Sequence, residues 1–386
     1  MVKVYLRTMA LGALALGLAS PAFAQKTATG TFNGVTWEAQ SRLIAATSTG
    51  GANGGGDPAF FANQPKYNGV VSLIMDYGAG GRFICTGSMI SQHHVLTAGH
   101  CVSGGAGTAG PLKTTAYFGT GDPNDRYHSD GNAIAVDVSK YYVNSNYTGE
   151  VIDQNDIAIL ALSSAAPGSA TIYDLATDMD LTGDRFNIAG FGGRSDVGGA
   201  IGVNQRTGYI RQGDNRYDWR LGDSDFGGFW TDRDANGEHF FGTADIDYSY
   251  LSDFDNGLAA NDTSCRIAVL GLGLPANGKF CNTGVGSMEV GVAGGDSGGP
   301  QFLNGKISSV TSYGLSFGTT FGDVNSGLNS SWGEFSGYVP VHIHGDFIAA
   351  ALAGPIPEPE TWAMMLLGFG FVGAGMRART RKVSFA

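Results

Sequence analysis

The stretch Gly294–Pro300, GGDSGGP, contains one serine, Ser297, with two glycines after it and two more before the aspartate that precedes it. A serine hydroxyl becomes a useful nucleophile only when a base removes its proton and N–H donors receive the oxyanion that forms. Glycines suit the second need, because they adopt positive φ and let backbone N–H groups point at one place. We therefore predict that Ser297 is a nucleophile and that the N–H groups of Gly295 and Ser297 form an oxyanion hole.

Two stretches upstream supply a base and an acid. Thr97–Cys101 (TAGHC) contains His100, and Asn155–Leu160 (NDIAIL) places Asp156 directly before an apolar run. A buried carboxylate at that point would accept the imidazole Nδ1–H, hold one tautomer and stabilise the imidazolium. The predicted catalytic residues are His100, Asp156 and Ser297.

These three motifs, in this order, resemble those of the trypsin/chymotrypsin family of serine proteases, and other hydrolase folds use other orders. The resemblance implies an all-β, chymotrypsin-like fold of two six-stranded antiparallel β-barrels with a short C-terminal helix. Short apolar runs between residues 69 and 98, broken by glycine and polar turns, agree with this fold. The resemblance also implies two disulfides, Cys85–Cys101 beside His100 and Cys265–Cys281. It further implies a serine endopeptidase that forms an acyl-enzyme and needs no cofactor.

The same resemblance implies a substrate pocket. Ser312, Tyr313 and Gly314 correspond to the strand that pairs with the substrate backbone by β-augmentation. Gly291, followed by Val292, stands where relatives that cut after Lys or Arg carry an acid, and a cation buried there would be unpaired. We therefore predict a preference for an uncharged residue before the cut.

Asp296 raises the question of activation. In many relatives this aspartate pairs with a new N-terminal amine that propeptide cleavage frees. No clear Ile-Val-Gly-Gly start is visible in this chain. Arg42-Leu43-Ile44 is one candidate for the cleavage site, and an active form without processing is the alternative.

The N-terminal residues 1–24 are typical of a secretory signal peptide. Lys3 and Arg7 precede an apolar run, Met9–Leu18, and Ala22-Phe23-Ala24 is a small-x-small site for signal peptidase. An even number of cysteines, four, fits two disulfides in an oxidising compartment.

The far end combines Pro357-Glu358-Pro359, the apolar run Trp362–Met376 and a basic tail. This resembles the PEP-CTERM sorting signal of Gram-negative bacteria, which an exosortase-type membrane enzyme processes. The resemblance implies export across the inner membrane, contact with the membrane through the C-terminal segment before processing, and a product at the cell surface or secreted. A plain C-terminal membrane anchor is the alternative, although the run is short for a full span.

The predicted organisation has four parts: a signal peptide (1–24), a flexible N-terminal segment or propeptide (25–66), the protease domain (67–354) and the sorting or anchor segment (355–386). Within the second part, Thr31–Ile44 alternates weakly and is either part of a propeptide or an extra strand. Residues 205–262 form a long insertion in the second barrel, rich in Asp, Asn, Gly and aromatic residues. We expect this insertion to form surface loops near the cleft.

One stretch of the insertion, Asp232–Gly237, has the spacing of the first half of a calcium loop. Asp232, Asp234 and Asn236 would be ligands, but Thr243 stands where the bidentate glutamate should be. A solvated acidic turn is the alternative interpretation.

The net charge of −11 argues against nucleic acid as a partner. The leading hypothesis is an exported serine endopeptidase with protein or peptide substrates. Two alternatives remain open: a surface-displayed binding or matrix protein that kept the fold with little turnover, and an esterase.

Overall fold

The computed structural model describes residues 26–41, 56–119, 121–126 and 133–354. The signal peptide, the candidate cleavage site at 42–44, most of the glycine-rich stretch 48–57 and the segment 355–386 lie outside the described residues. Within the described part of the chain, no helix is long and apolar enough to cross a membrane.

The described chain begins with a hairpin of two antiparallel strands, β1 (Thr27–Phe32) and β2 (Val35–Gln40). Asn33 and Gly34 turn the chain, and both have the positive φ that tight hairpins prefer. The side chains of Phe32, Trp37 and Ala39 are buried, whereas alternate residues are more exposed. Within Thr31–Ile44 the described residues thus form a strand, paired within a hairpin, and the propeptide interpretation stays open, since a propeptide can also form strands.

The first barrel is closed and has six strands. They are β3 (Val70–Asp76), β4 (Arg82–Ser91), β5 (His94–Thr97), β6 (Lys113–Phe118), β7 (Ile134–Val143) and β8 (Ala158–Leu162). The strand order is β3-β4-β5-β8-β7-β6, and pairing of β6 with β3 closes the barrel. Val71, Leu73 and Met75 alternate along β3 and pack inside the barrel with Val95 and Leu160, as the period of two along a strand requires.

The second body is one nine-stranded sheet. Its further strands are β9 (Arg185–Gly190), β10 (Arg211–Arg216), β11 (Trp219–Arg220), β12 (Tyr250–Asp253), β13 (Pro300–Leu303), β14 (Lys306–Ser316) and β15 (Phe335–Pro340). They follow the order β10-β9-β13-β14-β15-β12-β11, and β2 of the hairpin joins by pairing with β14. The sheet curls until its two ends approach each other, and there the side-chain amide of Asn215 on β10 donates to the carbonyl of Asp253 on β12.

Helices are few and short. They include α1 (Thr263–Arg266), which continues as a wider turn over Ile267–Gly271, and α2 (Gly345–Ala353) near the end of the described chain. Both predicted disulfides, Cys85–Cys101 and Cys265–Cys281, are formed. The predicted chymotrypsin-like all-β class and both cysteine pairings are confirmed, but only the first body is a closed six-stranded barrel, because β1 and β2 of the hairpin extend the second body to a curled sheet of nine strands.

The insertion at 205–262 departs from the expectation of surface loops. Trp219, Phe226 and Trp230 are buried and form one cluster with Trp37 of the hairpin and Phe335 of β15. Large aromatic side chains carry much apolar surface, and packing them together removes that surface from water. The chain between β11 and β12 is loop apart from one short 3₁₀ turn, as expected, but Phe226 and Trp230 within it are buried rather than at the surface.

Candidate active site

His100 lies on a single 3₁₀ turn, Gly99–Cys101, directly after β5. The disulfide from Cys101 to Cys85 ties this turn to β4. The backbone N–H of His100 donates to Oδ1 of Asp156 at 2.6 Å, and the ring Nδ1 lies 2.7 Å from Oδ2. These two contacts fix the orientation of the imidazole, and they leave Nε2 as the atom that can exchange a proton.

Asp156 is 1% exposed and precedes β8. Besides the contacts from His100, its Oδ2 accepts a hydrogen bond of 2.5 Å from the hydroxyl of Ser312 on β14. Sequence reasoning assigned Ser312 to substrate pairing and missed this role. The sequence around Ser312 gives no sign of this hydrogen bond, because its partner Asp156 lies 156 positions away.

Ser297 lies between the two bodies, just before β13. Its carbonyl accepts the N–H of Thr86 on β4 at 2.8 Å. Ser297 and His100 line the same cavity, which has a volume of about 590 Å³. Nε2 of His100 is buried and has no hydrogen-bond partner among the described residues. The Ser297 hydroxyl and this nitrogen are therefore not hydrogen-bonded to each other.

The loop before Ser297 turns its carbonyl groups into the protein. The carbonyl of Gly295 accepts the Thr86 hydroxyl at 2.7 Å, and that of Gly294 accepts the N–H of Gly193 at 3.0 Å. Gly295 has φ of 108°, where a side chain would be strained, and a Cβ would lie 3.0 Å from Cα of Gly192. In the described chain, the N–H groups of Gly295 and Ser297 donate to no protein acceptor.

Asp296 points away from the cavity. Its carboxylate accepts the N–H of Gly192 at 2.7 Å and of Ala293 at 2.8 Å. Burial raises the pKa of Asp296 to about 6. Among the described residues no cation forms an ion pair with it, so the partner of this carboxylate is backbone alone.

The residues of the predicted substrate pocket are all buried. Val292, Ser312 and Tyr313 are buried, and the Tyr313 hydroxyl hydrogen-bonds the Ser249 hydroxyl at 2.7 Å. Neither these residues nor Gly291 and Gly314 are among those that line the cavity beside Ser297. The edge of β14 that was expected to receive the substrate is instead paired with β2, where Gln40 lies opposite Gly314.

In the candidate calcium loop, a carboxylate oxygen accepts hydrogen bonds from backbone N–H groups of the loop itself. Oδ1 of Asp234 accepts the N–H groups of Asn236 and Glu238 at 2.8 and 3.1 Å. Asp232 lies against Gly228, where a Cβ would come within 2.3 Å of its carboxylate. In the described chain, the converging carboxylates are Asp253, Asp255 and Asp262 instead.

The fold and this arrangement define the class: a chymotrypsin-like all-β protein with a buried Asp–His pair and a serine at the junction of its two bodies. Residues 43–216 match the trypsin family model, and residues 355–382 match the PEP-CTERM protein-sorting motif. These two matches confirm both resemblances seen in the sequence, to the trypsin family and to the PEP-CTERM motif.

The trypsin match covers His100 and Asp156 and ends before Ser297. Together the two matches support an exported trypsin-like protease, at the surface of a Gram-negative bacterium or secreted from it. The sorting motif also implies recognition by an exosortase-type enzyme.

Proposed function

We propose that this protein is a serine endopeptidase. Ser297 attacks the carbonyl of a peptide bond, His100 takes the hydroxyl proton at Nε2 and returns it to the leaving amine, and Asp156 holds and stabilises the imidazolium. The N–H groups of Gly295 and Ser297 receive the oxyanion. Water then hydrolyses the acyl-enzyme by the same proton transfers, without a cofactor.

The observation that carries this proposal is the two-point contact between His100 and Asp156 at 2.6 and 2.7 Å. It leaves His100 Nε2 as the one unpartnered ring atom, beside the cavity that Ser297 lines. A structural histidine would use both nitrogens, since buried polar atoms are normally hydrogen-bonded.

We also propose that the enzyme cuts after uncharged residues. A side chain at Gly291 would point toward the ring of Phe254, 3.2 Å from its Cβ, and Val292 is buried beside it. Gly291 itself offers no carboxylate to a Lys or Arg side chain directed there, and burying a cation without a partner is unfavourable.

The two ends of the chain direct its export and sorting in this proposal. We propose that signal peptidase removes residues 1–24 and that an exosortase-type enzyme processes the C-terminal segment, which contacts the membrane until then. This proposal rests on the signal-peptide pattern and on the PEP-CTERM match.

A peptide library tests the proposed activity. Exported wild-type protein and Ser297→Ala are incubated with a mixed library, and cleavage sites are located by mass spectrometry. Cleavage by wild type alone, after uncharged residues, is expected. Hydrolysis of small esters without peptide cleavage would make the protein an esterase.

The second candidate is a surface-displayed binding or matrix protein with little turnover. The observation that favours it is that β2 covers the edge of β14 on which a substrate would pair, and that the predicted pocket residues are buried. Absence of both peptide and ester hydrolysis, in chains freed of the hairpin, would support this candidate.

A further inference from the structure

The N-terminal hairpin lies on the strand edge that the proposed function assigns to substrate. β2 runs antiparallel to β14, with Gln40 opposite Gly314, Ala39 opposite Leu315 and Glu38 opposite Ser316. An extended peptide that joins a sheet edge takes its affinity from the backbone hydrogen bonds of that edge. One edge holds one strand, so β2 and a substrate compete for it.

The chain leaves β2 in the direction of the catalytic residues. Ser41, the next residue, lines the same cavity as His100 and Ser297. In the sequence, Arg42 and Leu43 of the candidate cleavage site follow directly, and the trypsin match begins at residue 43. The hairpin thus precedes the matched domain.

Lys26, at the base of the hairpin, spans the cleft. Its backbone N–H donates to the Ser41 hydroxyl at 3.0 Å, and its ammonium donates to the carbonyls of Gly104, at 2.9 Å, and Gly149. These carbonyls belong to the first-barrel loops that follow His100 and precede Asp156. With this cover in place, His100 is only 2% exposed.

Aromatic residues of the insertion hold the hairpin in place. The ring of Phe32 lies 5.6 Å from that of Trp230, and the ring of Trp37 lies 5.1 Å from that of Phe241. Burial of the Phe32 and Trp37 side chains removes apolar surface from water and stabilises the docked state. The insertion therefore forms part of the surface on which the hairpin packs.

We propose that residues 26–41 are an inhibitory segment that occupies the substrate edge in the position and direction of a substrate. The active enzyme forms when this segment leaves β14. The inference rests on the proposed function, because a covered edge regulates only a protein that binds substrate there.

The test measures how fast a fluorophosphonate labels Ser297 in the full chain. Ala39→Asp places a charge at a fully buried position of β2 and is expected to release the hairpin. Labelling should accelerate at least about tenfold, the equivalent of ~1.4 kcal/mol. The matched control is Thr31→Asp, which adds the same charge at an exposed position of β1 and should label at the wild-type rate.

A second variant guards against misfolding of the first. Gln40→Pro removes a backbone donor opposite Gly314 without burying a charge, and it should also accelerate labelling. Near-ultraviolet circular dichroism checks that each chain is folded. Equal labelling of wild type and both folded hairpin variants would overturn the inference. No labelling of any folded chain would remove the proposed function, and the inference with it.

A different observation points to a metal site at the end of β12. Asp253, Asp255 and Asp262 are buried, and each offers an oxygen within 4.8 Å of those of the other two. Oδ2 of Asp253 accepts the N–H of Ser264, and Oδ1 of Asp262 accepts that of Cys265. Oδ1 of Asp253 and Oδ1 of Asp255 are buried with no hydrogen-bond partner among the described residues, which is costly for an anionic oxygen.

Two further carboxylates surround this group. Glu289 accepts the N–H of Asp255 at 2.6 Å, and Asp218 accepts the N–H of Asp253 at 3.1 Å. The positive charge of Arg216 favours the ionised form of both Asp218 and Asp255. One guanidinium cannot balance the charge of five carboxylates. Asp255 and Glu289 line a cavity of about 510 Å³, which gives ions and water a way in.

We infer that Asp253, Asp255 and Asp262 bind a divalent cation, with calcium as the best match. Calcium takes six to eight oxygen ligands in flexible geometry, so water from the cavity would complete the coordination around three carboxylates. This site is separate from the loop Asp232–Gly237.

The test uses the full chain as Ser297→Ala, to prevent self-digestion, after treatment with a chelator. Calcium chloride should raise the melting temperature by several degrees and bind at one site in calorimetry, whereas sodium chloride at equal ionic strength should not. Asp255→Asn should abolish both effects, and the matched control Asp232→Asn should keep both. A shift that sodium chloride reproduces, or that survives in Asp255→Asn, would overturn the inference.

Discussion

The hydroxyl of Ser312 donates a 2.5 Å hydrogen bond to Oδ2 of Asp156, the same oxygen that lies 2.7 Å from His100 Nδ1. β14 therefore joins the second body to the histidine of the first through a single carboxylate oxygen. A third donor keeps the carboxylate aligned with the imidazole when the histidine becomes charged.

Ser312→Ala is expected to slow catalysis while leaving the fold intact. A hydrogen bond to a charged group is worth ~1.5–3 kcal/mol, so kcat should fall roughly ten- to hundredfold. Steady-state kinetics on a peptide substrate checks this. The matched control is Ser308→Ala on the same strand, whose hydroxyl donates to the carbonyl of Gln301 and has no contact with Asp156. Equal kcat values for the two variants would contradict the positioning role.

The two disulfides close loops with the same separation of 16 residues, but only one lies beside His100. Replacing either pair by alanine should lower the free energy of unfolding by ~3 kcal/mol, as expected for loops of this size. Only the Cys85–Cys101 pair should also reduce kcat, because it holds the turn that carries the imidazole. Urea denaturation and kinetics on both double variants separate the effects. A similar loss of kcat from the Cys265–Cys281 pair would be evidence against this view.

Asp296 should make stability depend on pH. Its pKa is raised to about 6 by burial, so the folded state prefers the protonated carboxyl. The contribution of this group is complete below its unfolded pKa, near 4, and is lost as the pH rises toward 6. The loss is at most about 3 kcal/mol, at 1.36 kcal/mol per pKa unit.

Asp296→Asn isolates this contribution, because asparagine does not titrate. The difference in free energy of unfolding, wild type minus variant, should fall between pH 4 and pH 6 in urea titrations. A difference that stays constant or rises over this interval would show that the carboxylate is charged in the folded protein.

Local motifs allowed much of the fold and site to be predicted. Around His100 and Ser297 the residue types indicate a nucleophile and its base. The pairing of the cysteines follows from the same family resemblance. The contact of Ser312 with Asp156 could not be found in this way, since it depends on how β14 meets the first barrel.

The hairpin and the insertion could not be assigned from sequence for a related reason. Trp37 lies between Thr36 and Glu38, and Trp230 follows Phe229 in a stretch without regular alternation, so neither segment shows where its apolar surface packs. Only the packing of one segment on the other explains why both are buried. Regular spacing singled out Asp232–Gly237 in the sequence, whereas the convergence of Asp253 and Asp262 depends on the fold of β12 and α1.

The most direct test of the proposed catalysis locates the covalent adduct. The full chain carrying Ala39→Asp is treated with a fluorophosphonate and mapped by mass spectrometry, alone and combined with His100→Ala or Ser297→Ala. The account predicts one adduct, on Ser297, that is lost with Ser297→Ala and formed far more slowly with His100→Ala. A folded chain without an adduct on Ser297, or with equal labelling when His100 is replaced, would contradict it.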